Sequence, residues 1–387
     1  MKKQSNKNIL IATGIYPPDI GGPATYTKEL GEELPKRGFG VQIITYGNET
    51  KEEQSGDCSV FYINKNVPLL KRYFTYAKKI YILRKTFDVI YVQDPVSSGV
   101  PVFFASLLSG KPYILKVVGD YAWEQGTQRF RVVDTKDEFQ HKKYGFAVEL
   151  MRFVQKHVAR KAKKIIVPSN YLKNIVSCWI KDRAKIVVIY NALKENRMQK
   201  TRKDIRKEND FSGFVLLSVA RLVPWKGFLV LLDIFAQLRK KYPDIQLYIV
   251  GEGPEKVVIE KKIHELGLED SVTLLGRLPH IEVLEYLQAS DLFVLNTAYE
   301  GLSHLLLEAT MMHCPILTTD VGGNPEAVEE GINGMLVEYN NTEELAGKIE
   351  GVYKNGFSIN KQKVETLLQK FNKQKTLDLL VSEFTHI

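Results

Sequence analysis

Apolar residues along this chain come in short β-rich runs, and between the runs the spacing changes to that of helices. In the first half the runs are NILIAT, VQIITY, VIYVQ, YILKVV, KIIVPS and IVVIYN; in the second they are FVLLSVA, QLYIVG, VTLLG, LFVLNT and PILTTD. Segments between them, such as TKELGEELPKRG and FLVLLDIFAQLRKKYP, have helical spacing. Strands that are apolar throughout, rather than at alternate positions, predict parallel sheets covered by helices on both faces. Residues 194–210, KENRMQKTRKDIRKEND, break the pattern: eleven side chains are charged and only Met198 and Ile205 are apolar. Such a stretch reads as a hinge between domains. The pattern therefore predicts an α/β protein of two Rossmann-like domains, 1–196 and 210–367, with a C-terminal helix over 368–387 packing back onto the first. Ligands of open α/β sheets bind beyond the carboxyl ends of the strands, which places the expected site in the cleft between the domains.

Composition agrees and narrows the class. A length of 387 residues suits two domains, and 44% hydrophobic with 26% charged residues is an ordinary globular balance. Cys58, Cys178 and Cys314 are far apart and odd in number, matching neither a disulfide framework nor a metal-binding pair, so a reducing, cytoplasmic setting is expected. The N-terminal MKKQSNKNILIATG has a basic start, but its apolar run is too short for a signal peptide and reads as a first strand. No stretch reaches the roughly 18 apolar residues of a membrane span, so the chain is expected to be soluble or peripherally attached to a membrane face. The net charge of +9 is concentrated: residues 71–85 and 152–164 each carry six Lys or Arg and no acid, which leaves the remainder slightly acidic. On a helix over 71–85, Lys71, Lys78 and Lys85 form one stripe and Phe74 and Tyr81 the next. Tyr73, Tyr76, Ile80 and Leu83 group where they can pack on a sheet. A basic stripe beside exposed aromatics suits an anionic membrane surface. The plain alternative is a solvated helix face. No nucleic-acid partner is expected.

The candidate chemistry gathers at strand ends. In YEGLSHLLLEA, residues 299–309, Glu300 sits in the loop after a strand and Glu308 sits in the helix that follows, among Leu305, Leu306 and Leu307. Ser303 is the expected N-cap, and the first N–H groups at Ser303, His304 and Leu305 make an anion site. Glu308, one turn further in and angled back toward the helix start, is placed to hold paired hydroxyls of a polyol. Alternatively it pairs with a lysine, and Glu300 is solvated. In SVARLVPWKGF, Arg221 follows a strand at once, and Lys226 opens the next helix. Two cations there suit a diphosphate, with surface cations as the plain alternative. VGEGPE brings Gly251 to the end of the next strand, but Pro254 spoils a dinucleotide fingerprint. Gly21 and Gly22 stand between the first strand and a helix opened by Pro23, where they offer N–H groups to a phosphate or simply turn the chain. The seven histidines show no ligand spacing and no Asp-x-Asp occurs, so no metal and no cofactor is expected.

Taken together, ARLVPWKG, VGEGPE, VTLLGRL and the long run from ASDLFVLNTAYEGLSHLLLEA to GINGMLV resemble the retaining glycosyltransferases of family 4, which have the GT-B fold. YPPDIGGPATYTKELGEELPKRGFGVQIIT, VPSNYLKNIV and VIYNAL extend the resemblance over nearly the whole chain. It implies transfer of a sugar from a nucleotide diphosphate sugar to a glycan or lipid-linked acceptor, without a metal. By the resemblance Glu300 contacts the donor sugar and Glu308 the ribose, while Arg221 and Lys226 bind the phosphates. The N–H groups of Ser303, His304 and Leu305 hold the diphosphate, and Gly276–Leu278, with Arg277 and Leu278, borders the base. The chain departs from the family where many relatives carry a histidine: KPYILKVVGDYAWE has Val118 there, with Asp120 two residues on, and YVQDP upstream leaves Asp94. Asp120 then either takes a catalytic, acceptor-side duty or caps a helix. A nucleotide-sugar epimerase of the same fold, or a nucleotide-sugar-binding protein without transferase activity, are the rival readings.

Overall fold

The computed structural model describes residues 7–19, 21–193 and 198–387. The basic start at 1–6 and the expected first boundary at 196 lie outside the described residues. The chain forms two compact units, Met1–Ile189 with Leu377–Ile387, and Tyr190–Thr376.

The first unit contains β1 (Asn8–Ala12), β2 (Gly40–Gly47), β3 (Lys51–Ser55), β4 (Cys58–Asn64), β5 (Val89–Val92), β6 (Tyr113–Lys116), β7 (Lys164–Val167) and β8 (Ile186–Val188). They form one eight-stranded sheet of order β3-β4-β2-β1-β5-β6-β7-β8, in which only the β3–β4 pair is antiparallel. Side chains alternate along β1, so Leu10 and Ala12 enter the core on one face while Ile9 and Ile11 enter the core on the other. Both faces are covered, and that is why these strands read as unbroken apolar runs. Leu377, Leu380 and Phe384 of the helix Lys373–Thr385 join the Ile9–Ile11 face, where the Phe384 ring meets Tyr91 edge-on at 5.2 Å.

The second unit contains β9 (Phe214–Val219), β10 (Ile245–Val250), β11 (Val272–Gly276), β12 (Leu292–Leu295), β13 (Ile316–Thr319) and β14 (Gly334–Val337). Their order is β11-β10-β9-β12-β13-β14, parallel throughout. Numbered within the unit this is 3-2-1-4-5-6, the doubly wound order, and the strand order reverses between β9 and β12. In the first unit the reversal falls between β1 and β5.

Three strands escaped the pattern. β3 is KEEQS, almost wholly exposed, and is specified by its turn at Gly56 (φ +59°) and its pairing with β4 rather than by burial. As an edge strand rich in charge it resists further pairing. β4 itself is well buried but is read as a strand only once its hairpin partner is seen, and β14 is four residues long.

Candidate functional site

Helices leave the two central strands of the second unit in opposite directions at the β9–β12 reversal, so the loops after these strands face a common crevice. After β9 come Arg221, a 3-10 turn over Pro224–Lys226 and the helix Phe228–Lys241. After β12 the loop runs to Ser303 and into the helix His304–Met311. Hydrogen bonds tie the two loops together. The carbonyl of Trp225 accepts from Ala298 N at 2.8 Å and from the Thr297 hydroxyl at 3.2 Å. The Asn296 amide donates to Gly227 O at 3.2 Å and to Asn340 Oδ1 at 2.8 Å.

This stitching brings Lys226 against Glu300, and the two form an ion pair with side chains only 10% and 21% exposed. Removing either charge would leave the other poorly compensated. From the other side, Gly323 N donates to the Glu300 carbonyl at 2.9 Å. Gly322 has φ +60°, and a Cβ there would lie 2.1 Å from that same carbonyl oxygen. The glycine pair therefore fixes the height of the Glu300 loop. Arg221 is exposed and has no hydrogen bond or ion pair with the described residues. Ser303 is buried and makes no side-chain cap bond, and the first N–H groups of its helix have no intrahelical acceptor.

Glu308 lies one turn into that helix with its side chain 14% exposed, and Oε1 is 2.8 Å from Nε2 of His280. Its partner is thus a histidine rather than the lysine weighed in the sequence. His280 opens the helix His280–Ala289, two residues past Leu278. Arg277 is exposed with no partner among the described residues, and Leu278 is half-buried. His304 is exposed and Leu305 half-buried. Gly251, at φ +146°, makes its close approach to protein backbone: a Cβ would lie 1.9 Å from the Ala220 carbonyl oxygen. With Leu222 N donating to Glu252 O at 3.0 Å, it shapes the loop that carries Arg221.

Sequence reasoning missed His280, Asn296, Gly322 and Gly323. The DVGGNP run was a visible signal for the glycines, whereas nothing in the spacing of 28 residues announces the His280–Glu308 contact.

In the first unit, Gly21 precedes the helix Gly22–Glu33, and its carbonyl accepts from Ala24 N and Thr25 N at 3.0 and 3.2 Å. A pocket of about 540 Å³ opens near the ends of β1 and β5, lined by Asp94, Val118, Arg72, Lys65 and Asp19 among others. Desolvation raises the pKa of Asp94 against the lowering effect of its bonds from the Ser98 hydroxyl and from backbone N–H groups. Asp120 does not line this pocket. It has no exposed surface; Oδ1 accepts from Trp123 N at 3.1 Å and Gln155 Nε2 at 2.8 Å, and Oδ2 from Gln140 Nε2 at 2.8 Å. Of the two readings of Asp120, the catalytic, acceptor-side duty is corrected to the helix cap: its carboxylate is consumed in capping the helix Tyr121–Arg129 and anchoring two glutamines. Among the described residues no group of three or more His, Cys, Asp or Glu stands together as a metal site.

An α/β chain of two such sheets, with cations, a carboxylate and a helix start converging at a switch point, is of the nucleotide-binding kind. The family model described as Glycosyl transferases group 1 matches residues 200–376, and that described as Glycosyltransferase Family 4 matches residues 20–197. The chain belongs to the group 1 glycosyltransferases. It is 28% identical over 332 residues to an uncharacterized glycosyltransferase of Haemophilus influenzae, covering 84% of each chain. It is 24% identical over 338 residues to a component of the phosphatidylinositol N-acetylglucosaminyltransferase of Arabidopsis thaliana, covering 85% of this chain and 71% of that one. Among solved structures, the Anabaena protein HepE in complex with UDP superposes with a TM-score of 0.76 at 19% identity, over 98% of this chain and 100% of that one. The fold is GT-B, and the protein is a glycosyltransferase.

Proposed function

We propose that this glycosyltransferase takes a nucleotide diphosphate sugar as donor, passes the sugar to a lipid-linked or saccharide acceptor, and retains anomeric configuration. The observation that carries the reading is the convergence, at one strand-order reversal, of the Lys226–Glu300 pair, Arg221, which has no partner among the described residues, and the helix start at Ser303. Arg221 and Lys226, with the N–H groups of residues 303–305, stabilise charge developing on the leaving diphosphate. Loss of either cation should cost about 2–4 kcal/mol of transition-state stabilisation. When donor binds, the Lys226 ammonium is shared between Glu300 and phosphate, and Glu300 accepts from a sugar hydroxyl. Glu308, oriented by His280, holds the ribose; Gly251, Arg277 and Leu278 border the nucleotide. The leaving phosphate takes the acceptor proton, so no separate base is needed.

The Anabaena neighbour's complex with UDP supports the donor class, and the Arabidopsis relative, whose name specifies a phosphatidylinositol acceptor, supports a lipid-linked acceptor. The test is product analysis by NMR with a panel of α-linked donors in the presence of EDTA. An α-linked product formed without added metal is expected. A β-linked product, or an absolute need for magnesium or manganese, would overturn the mechanism.

A further inference from the structure

Three helices of the first unit leave large apolar side chains uncovered on one side of its sheet. The helices Leu69–Leu83, Gly99–Ser109 and Phe146–Lys161 all pack into the same core, through Tyr76 and Ile80, Val102 and Ala105, and Val158 and Ala159. They lie side by side on that face, the first against the second and the second against the third. Their outward side chains are apolar to an unusual degree: Leu70 is 83% exposed, Phe74 68%, Leu108 73% and Phe146 83%, with Phe104, Leu107 and Phe153 each above half. The surface is continuous across the second junction, where Phe103 meets His157 at 5.1 Å and His157 stacks on Phe153 at 5.7 Å. Contiguous apolar patches on this scale mark interaction surfaces.

Charge decides what the surface meets. Lys71 and Lys78 stand exposed among Leu70, Phe74 and Tyr81 on the first helix, and Arg160 and Lys161 stand exposed at the end of the third. The nearby acids are engaged: Glu149 pairs with Arg152 at 2.7 Å, and Glu52 pairs with Lys79 at 3.6 Å. An apolar centre flanked by cations that pair with no acid among the described residues fits the plane of an anionic bilayer, with the rings and leucines at the headgroup–acyl boundary and the lysines on the phosphates. Among the described residues no helix is long and apolar enough to cross a membrane, so the face would lie in the interface rather than span it.

We propose that this three-helix face docks the protein on an anionic phospholipid surface. It rests on the transferase reading only in that a lipid-linked acceptor would be met there, and it extends the basic segments 71–85 and 152–164 by the helix Gly99–Ser109, which carries no charge and supplies three of the exposed apolar side chains.

The experiment is co-sedimentation of the full chain with phosphatidylcholine vesicles and with vesicles containing phosphatidylglycerol, at low and high salt. Sedimentation velocity without lipid and hydrolysis of the donor in lipid-free buffer are followed in parallel. Two variants are used: Lys71→Glu with Lys78→Glu, and Leu107→Glu with Leu108→Glu. Expected are salt-sensitive binding to anionic vesicles, a more than tenfold loss of bound fraction in both variants, and unchanged donor hydrolysis. Absence of wild-type protein from the anionic pellet would overturn the proposal. So would binding undiminished by both pairs of substitutions, or a wild-type dimer that the Leu107→Glu variant splits, which would give the face to a second copy. Donor hydrolysis lost in every form would fault the transferase reading and leave the vesicle result to stand by itself.

Discussion

Single residues show how an acid or base near a strand end can be structural. Asp120 was legible as a carboxylate after a strand, but its burial was not, because the two glutamines it holds come from 20 and 35 residues further on. Asp120→Asn would turn an amide N–H₂ toward donors, leaving buried groups unsatisfied at a cost of about 1–3 kcal/mol. The melting temperature should fall while turnover per folded molecule stays near wild type. A collapse in turnover with unchanged melting would return Asp120 to the catalytic list. Lys116 at the end of β6 is a second case: it is 5% exposed, its ammonium sits 3.3 Å from the Tyr26 ring centroid, and burial lowers its pKa to about 7. Above pH 7 the folded lysine is neutral while the unfolded one keeps its proton until about pH 10.4. The unfolded state then binds more protons, so this group makes stability rise with pH over that window, by up to about 1.4 kcal/mol per pH unit. Urea unfolding of wild type and Lys116→Met from pH 6 to 10 should show the variant more stable at pH 6 and the gap closing upward. Parallel curves would contradict the assignment.

At the scale of elements, most strands could be read from apolar runs because burial on both faces leaves no room for polar alternation. What escaped were the elements fixed by partners, such as the β3–β4 hairpin with its exposed KEEQS edge. The loops of the site followed the same rule. Arg221, Lys226, Glu300 and Glu308 could be chosen by residue type and position relative to strand ends, whereas the pairing of Glu308 with His280 depends on how two helices pack. Gly322 belongs to this scale. Gly322→Ala forces a Cβ against the Glu300 carbonyl and strains a left-handed backbone, so the Glu300 loop must move. Misplacement of about 1 Å in a positioning loop costs on the order of 100-fold in rate. We expect kcat/KM to drop by that order with circular dichroism unchanged, and near-normal kcat/KM would show that the loop height is not critical.

Over the whole molecule, the division into two α/β units and the concentration of positive charge in two segments were both open to reading, since each follows from composition along the chain. The placement of the unit ends was less so. The first unit closes at Ile189 and resumes at Leu377, where the last helix contributes Leu380 and Phe384 to its core. The charged run, by contrast, leads into a helix, Arg202–Glu208, in which Arg202 and Arg206 both pair with Asp291 of the second unit. The central claim is that the β9–β12 reversal of that unit holds the nucleotide diphosphate. It is tested most directly by calorimetric titration of uridine, guanosine and adenosine diphosphates into wild type, Lys226→Ala and Glu308→Ala. The account predicts that wild type binds one of the three, and that each variant binds that nucleotide at least tenfold more weakly, about 1.4 kcal/mol or more. Binding of equal strength in all three proteins would contradict it.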